Sequence, residues 1–206
     1  MQVCQTELDL GVLVEDNLKV TKQCTRAINT ANKVLGLICR TFSCKSVDII
    51  LKLYKSLVRP HLDYCSQAWR PHLVKDIEAL EKVQRRATRL MEGLKGLPYE
   101  TRLRRTGLTD LETRRLRGDL IEVFKLLKGI DNVDYSNMFT FNSNALRGHH
   151  FKLFKPRART NIGKYSFAHR IVDAWNALPE YVVSCSTVNS FRASLARYFR
   201  NCRGLI

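Results

Sequence analysis

Apolar positions follow two different periods along the chain. Leu8, Leu10, Val12 and Val14 alternate with Asp9, Gly11, Leu13 and Glu15, the period-two pattern of a short strand, with Asp16-Asn17 as the turn after it. From residue 21 to 40 the pattern becomes helical, with Ala27, Ala31, Val34, Leu35 and Ile38 on one stripe. A second helix is predicted over residues 46–58 (Ile49, Ile50, Leu53, Leu57), ended by Arg59-Pro60, and a third from Pro60 towards Trp69, stopped by Pro71. The fourth, residues 74–92, has Ile77, Leu80, Val83, Ala87, Leu90 and Met91 on one stripe. Gly93, Gly96, Pro98 and Gly107 interrupt the next stretch. Thr109-Asp110-Leu111-Glu112 reads as a capping box that opens a fifth helix reaching about Lys128, with Leu116, Leu120, Val123, Phe124 and Leu127 inward. Residues 131–144 read as loop with a short strand at 138–141, and helices over 165–178 and 187–201 close the chain. The fold class is therefore mainly α, with about five to seven helices and at most a few short strands.

On the fourth helix Lys82, Arg85, Arg86 and Arg89 cluster opposite the apolar stripe. A solvated outer face would usually mix in carboxylates for i,i+4 pairing, so this stripe is a candidate phosphate-binding surface beside that plainer reading. Arg114, Arg115 and Arg117 sit in the first turns of the fifth helix, where positive charge opposes the macrodipole. From Arg147 the chain reads Arg-Gly-His-His-Phe-Lys-Leu-Phe-Lys-Pro-Arg-Ala-Arg, interleaving Arg147, Lys152, Lys155, Arg157 and Arg159 with aromatic rings. Phosphate contact with base stacking, or an amphipathic edge strand, would each give that alternation.

The total charge sharpens this picture. There are 35 Lys plus Arg against 19 Asp plus Glu, a formal net charge of +16. Residues 82–118 carry 11 basic and 4 acidic groups, and residues 136–206 carry 11 and 2, whereas residues 1–81 carry 11 and 9. Two basic blocks flank a neutral-to-acidic stretch over 119–135. Such blocks favour polyanionic partners through neutralised phosphates and released counterions.

No run of about 18 apolar residues is present, so no membrane span is expected, and no basic-then-apolar leader is visible at the N-terminus. The seven cysteines, at 4, 24, 39, 44, 65, 185 and 202, form no Cys-x-x-Cys pair and mostly lie in apolar surroundings, which suits small hydrophobes in a reducing, intracellular (nuclear or cytoplasmic) setting. His61 and Cys65 stand four apart on the expected third helix, but with no second pair nearby a core role is favoured over zinc. No glycine-rich phosphate loop or nucleophile elbow occurs. Glu15-Asp16, the only adjacent acidic pair, reads as turn chemistry.

A set of segments spread over nearly the whole chain resembles the C-terminal region of reverse transcriptases from non-LTR, LINE-class, jockey-like retrotransposons. They are Leu10-Gly11-Val12 with Asp16-Asn17-Leu18, Ala31-Asn32-Lys33-Val34-Leu35-Gly36, and the run from Leu53-Tyr54-Lys55-Ser56-Leu57-Val58-Arg59-Pro60 to His61-Leu62-Asp63-Tyr64-Cys65. Leu80-Glu81-Lys82-Val83-Gln84-Arg85-Arg86-Ala87-Thr88, Arg114-Arg115-Leu116-Arg117-Gly118-Asp119-Leu120-Ile121, Arg147-Gly148-His149 and Trp175-Asn176-Ala177-Leu178-Pro179 complete it.

The resemblance implies three parts: a palm-closing strand and turn over 1–18, a helical thumb-like bundle over 19–130, and a basic C-terminal segment with two helices over 131–206. It implies binding of RNA, DNA or an RNA–DNA hybrid, the template–primer duplex, beside the rest of the polymerase if present. The duplex-gripping role transfers to the stretch around Arg85 and Arg86, and less directly to Arg114, Arg115 and Arg117. No catalytic residue transfers. Mg²⁺ would belong to a palm whose Asp-Asp motif precedes the equivalent of Met1, so no cofactor is expected in this chain, which would be a truncated element copy or a gene-model remnant. A palm strand without its sheet would leave Leu8 to Val14 without a partner. The alternative reading is a helical protein-interaction module whose basic faces bind an acidic partner.

Overall fold

The N-terminal alternation folds as two strands. β1 (Thr6–Asp9) pairs antiparallel with β2 (Val12–Glu15), Leu8 opposite Leu13 and Asp9 opposite Val12. Leu10 and Gly11 have φ of 43° and 83°, the two positive values that a two-residue type I′ hairpin turn requires. The alternation therefore runs straight across a turn, and the residues expected to lack a partner pair with each other. The Tyr64 hydroxyl donates to the Leu10 carbonyl at 2.9 Å and the Leu13 N–H donates to Gln23 Oε1 at 2.9 Å, tying the hairpin down.

The computed structural model describes residues 5–142 and 148–203, the last two as backbone alone. Among them are twelve α-helical segments, several of a single turn, so the chain is mainly helical as expected. It divides into two compact units, Met1–Arg115 and Leu116–Ile206, each with its own apolar core. The resemblance places the corresponding break after residue 130.

In the first unit α1 (Thr21–Thr41) buries Cys24, Ala27, Ala31, Leu35 and Ile38, and α5 (Val74–Leu90) buries Leu80, Val83 and Ala87. The two helices pack side by side. Thr21 Oγ1 donates to Asp76 Oδ2 at 2.8 Å near their N-termini and Arg86 Nη1 reaches Asn32 Oδ1 at 3.5 Å further on, so they run parallel. Burial pushes the Cys24 thiol up to about 12, which keeps it a neutral core group. Cys65 and His61, by contrast, are exposed, contrary to the core role expected of that pair, and Cys44 is exposed as well.

Between these helices lie α2 (Val47–Leu53), a π-helical turn (Tyr54–Val58) and α3 (Arg59–Asp63), which form one continuous rod. A stop at Arg59-Pro60 was expected. Proline has no N–H, and its ring meets the carbonyl four residues back; the wider π turn just before it relieves both problems. The rod ends instead at Tyr64-Cys65, where Cys65 is left-handed (φ 50°), and a single turn, α4 (Ser66–Trp69), follows. His61 and Cys65 therefore do not share one helix.

α6 (Tyr99–Thr106) was not expected, because its borders read as interruptions. Pro98 occupies its N-cap and Gly107, at φ 63°, its C-cap; these breakers are the helix's own start and stop signals. α7 (Leu111–Leu127) is capped by Asp110, whose Oδ1 accepts from the Thr113 N–H at 2.7 Å, and not by the predicted box on Thr109.

The second unit is built around aromatic rings. Phe124 stacks on Phe191 with centroids 4.3 Å apart, and Trp175 lies 6.1 Å from Phe191. The predicted helix over 165–178 is three short pieces, α8 (Asn161–Tyr165), α9 (Phe167–Arg170) and α10 (Val172–Asn176), followed by α11 (Glu180–Val183) and α12 (Val188–Arg203). The expected strand at 138–141 is reduced to one antiparallel bridge, Phe141 to Leu153. The extended segment is held from the side instead. Trp175 Nε1 donates to the Phe151 carbonyl at 2.8 Å, and the Asn176 amide bonds both the N–H and the carbonyl of Leu153 at 2.9 Å.

His149 is 1% exposed, with Nε2 donating to the Trp175 carbonyl at 3.1 Å and no partner for Nδ1 among the described residues. Burial lowers its pKa from 6.5, and the Trp175 carbonyl offsets this only in part. Below that value the unfolded chain takes up the proton first, so stability falls as the pH drops through 6.5 towards the folded value. Melting followed from about pH 7 down to about pH 5 is expected to fall more steeply for the native chain than for His149→Gln. Equal slopes would show that His149 titrates freely.

Candidate nucleic-acid interface

α5 is amphipathic in an unusual way: beside its apolar stripe it buries a second, polar one, Glu81, Gln84 and Thr88. Gln84 accepts from the Tyr54 hydroxyl at 2.7 Å and donates to the Thr109 carbonyl at 3.0 Å and the Tyr99 oxygen at 2.9 Å. Glu81 accepts from the Tyr99 hydroxyl and, at 2.9 Å, from the Leu111 N–H. Burial and the Glu81 bond hold the Tyr99 hydroxyl well above its ordinary pKa, so it stays a donor. Arg102, 3% exposed, donates to the Arg85 carbonyl and to Thr88 Oγ1, each at 2.8 Å. With polar and apolar stripes both engaged, the helix has one side left for solvent.

That side carries Lys82, Arg85, Arg86 and Arg89, all exposed. Arg85 lies over the Tyr99 ring at 4.8 Å, which steadies one of the four heads. Positive charge is concentrated here: burial first, and then the nearby Arg89 cation, lower the Arg102 pKa. The face is not free of anions, because exposed Glu78 stands one turn before Lys82 on the same side.

The structure adds a second helix to the surface. α1, which meets Arg86 through Asn32, has no Asp or Glu in 21 residues, and Lys33 and Arg40 on it are exposed. In the sequence α1 stands out for its apolar stripe, and its lack of carboxylates is the signal that marks it as part of this surface. At the C-terminal end of α5 an open cleft of about 680 Å³ includes Lys45, Arg89 and Lys95 in its lining, with Glu92 between them. Its cations extend the basic surface past the end of the helix.

The other predicted residues lie elsewhere or face inwards. Arg114 Nε binds Asp63 Oδ2 at 2.6 Å. Arg115 is 3% exposed, donates to the Leu62 carbonyl at 3.1 Å and lies over Trp69 at 5.7 Å, so its guanidinium is inside the first unit and cannot reach a phosphate as folded. In the second unit Arg117 is half-buried, Lys152 donates to the Asn176 carbonyl at 3.2 Å, and Lys155 pairs with Asp173. Arg157 and Arg159 are exposed, as is the ring of Phe154. Arg147 lies outside the described residues.

Among the described residues no group of three or more His, Cys, Asp or Glu side chains could hold a metal ion, and no helix is long and apolar enough to cross a membrane. Compared with models of known protein families, with curated proteins and with solved structures, the chain has no match.

Proposed function

We propose that the first unit binds the phosphate backbone of nucleic acid, an RNA–DNA hybrid or RNA, through the outer side of α5 and the adjoining side of α1. The observation that carries this is the exposure of Lys82, Arg85, Arg86 and Arg89 together on one side, beside a helix with no carboxylate. Exposed cations on rigid elements offer point charges and arginine forks to phosphate oxygens, and they read charge rather than sequence. The resemblance to the post-palm region of non-LTR reverse transcriptases agrees with this role, a grip on template–primer duplex. Polymerisation would need carboxylates gathered around two metal ions, and the proposed surface supplies cations.

The test compares an RNA–DNA hybrid with polyglutamate at equal charge concentration, using the whole chain. Binding is expected for the hybrid and much weaker for the polypeptide; the reverse order would make the basic surface a site for an acidic protein. Primer extension by the same preparation with Mg²⁺ or Mn²⁺ is expected to equal a heat-killed control. Incorporation above that control would reveal a metal site that this reading lacks.

A further inference from the structure

The second unit has a basic surface of its own, on a helix that sequence reading treated only as a closing element. α12 runs 16 residues, Val188–Arg203, and contains four arginines, no lysine and no carboxylate. One side of it is core: Phe191 and Leu195 are fully buried. Arg192, Arg197 and Arg200 are exposed, with Asn189 and the small Ala193 beside them. None of the three arginines makes an ion pair among the described residues.

From this we infer that α12 is a second, independent contact for a nucleic-acid backbone. Arg192 and Arg200 lie about 12 Å apart along the helix at about 1.5 Å per residue. A duplex presents a charge about every 1.7 Å of its axis, so several phosphates fall within that reach. Exclusive use of arginine suits this ligand, because the planar fork matches phosphate oxygens two at a time. An anionic membrane fits less well. A helix that lies in a lipid surface inserts its large apolar side chains, and here Phe191 and Leu195 are taken up by the unit's own core. Because the arginines belong to the second unit, this surface does not depend on the α5 surface being correct.

Two triple variants of the whole chain separate the surfaces: R192Q/R197Q/R200Q on α12, and R85Q/R86Q/R89Q on α5. The α12 variant is expected to bind a random-sequence RNA–DNA hybrid at least about tenfold more weakly, with its salt dependence shallower by about one unit per arginine. Combining both triples is expected to reduce binding further than either alone. Full affinity and slope in an α12 variant of unchanged helicity would overturn the proposal, even if the α5 variant fails to bind. Loss in the α12 variant alone would leave it standing and remove the α5 surface. Should the glutamine variant not fold, phenylglyoxal labelling of the native chain decides: the hybrid is expected to protect Arg192, Arg197 and Arg200, and unprotected arginines would refute it. Tighter binding to phosphatidylserine vesicles than to the hybrid, lost in the same α12 variant, would also overturn it in favour of a lipid surface.

Discussion

Replacing Arg85, Arg86 and Arg89 together by Gln is expected to weaken binding of an RNA–DNA hybrid by about 3 kcal/mol, roughly 1 for each phosphate no longer held and a hundredfold or so in affinity. The salt slope should fall by about one unit per arginine, since each neutralised phosphate contributes about −0.9. Phosphates carry no sequence information, so the loss should be alike for unrelated duplexes. The fold should survive, because α5 is held by Leu80, Val83 and Ala87 on one flank and by Glu81, Gln84 and Thr88 on the other. The stacking of Arg85 over Tyr99 is removed as well, at a cost of about 0.5–1 kcal/mol for an exposed site. Binding therefore changes several times more than stability. A variant that keeps its helicity and its full slope would take α5 off the binding surface.

Arg115→Ala is expected to have the opposite signature, destabilising the first unit by about 2–3 kcal/mol while leaving the salt slope alone. The side chain is buried over Trp69 and satisfies the Leu62 carbonyl; truncation orphans that carbonyl and opens a space beside the ring. Chemical denaturation with a tryptophan signal measures the loss. Unchanged stability with a slope one unit shallower would mean that Arg115 reaches solvent and contacts phosphate after all.

The contrast between these two arginine sets shows where sequence reading stops. A 3.6-residue apolar period with a basic opposite side is enough to locate α5 and its exposed cations, because both signals are local to one helix. Arg115 looks equivalent because it too is one of a run of cations on a single helix, there set against the helix dipole. What offsets that cost is tertiary: the Leu62 carbonyl lies far away in the chain, and so does the Asp63 carboxylate that takes Arg114. The same limit explains the fold differences. Pro60 stops an ordinary α-helix, yet a π turn lets the rod pass, and Pro98 and Gly107 read as a broken loop until they are seen to bracket α6. The Leu10-Gly11 turn is hidden by alternation that continues through it. In the second unit the short helices are set by burial of Ile171, Val172 and Trp175 in a shared aromatic core, and no period over so few residues could announce them.

The measurement closest to the central claim is the salt dependence of hybrid binding by the unaltered chain. If exposed cations neutralise phosphates, log K should fall linearly with log salt at a slope of about −3 or steeper, and two unrelated sequences should give the same line. A slope near zero, or lines that differ strongly with sequence, would contradict the account.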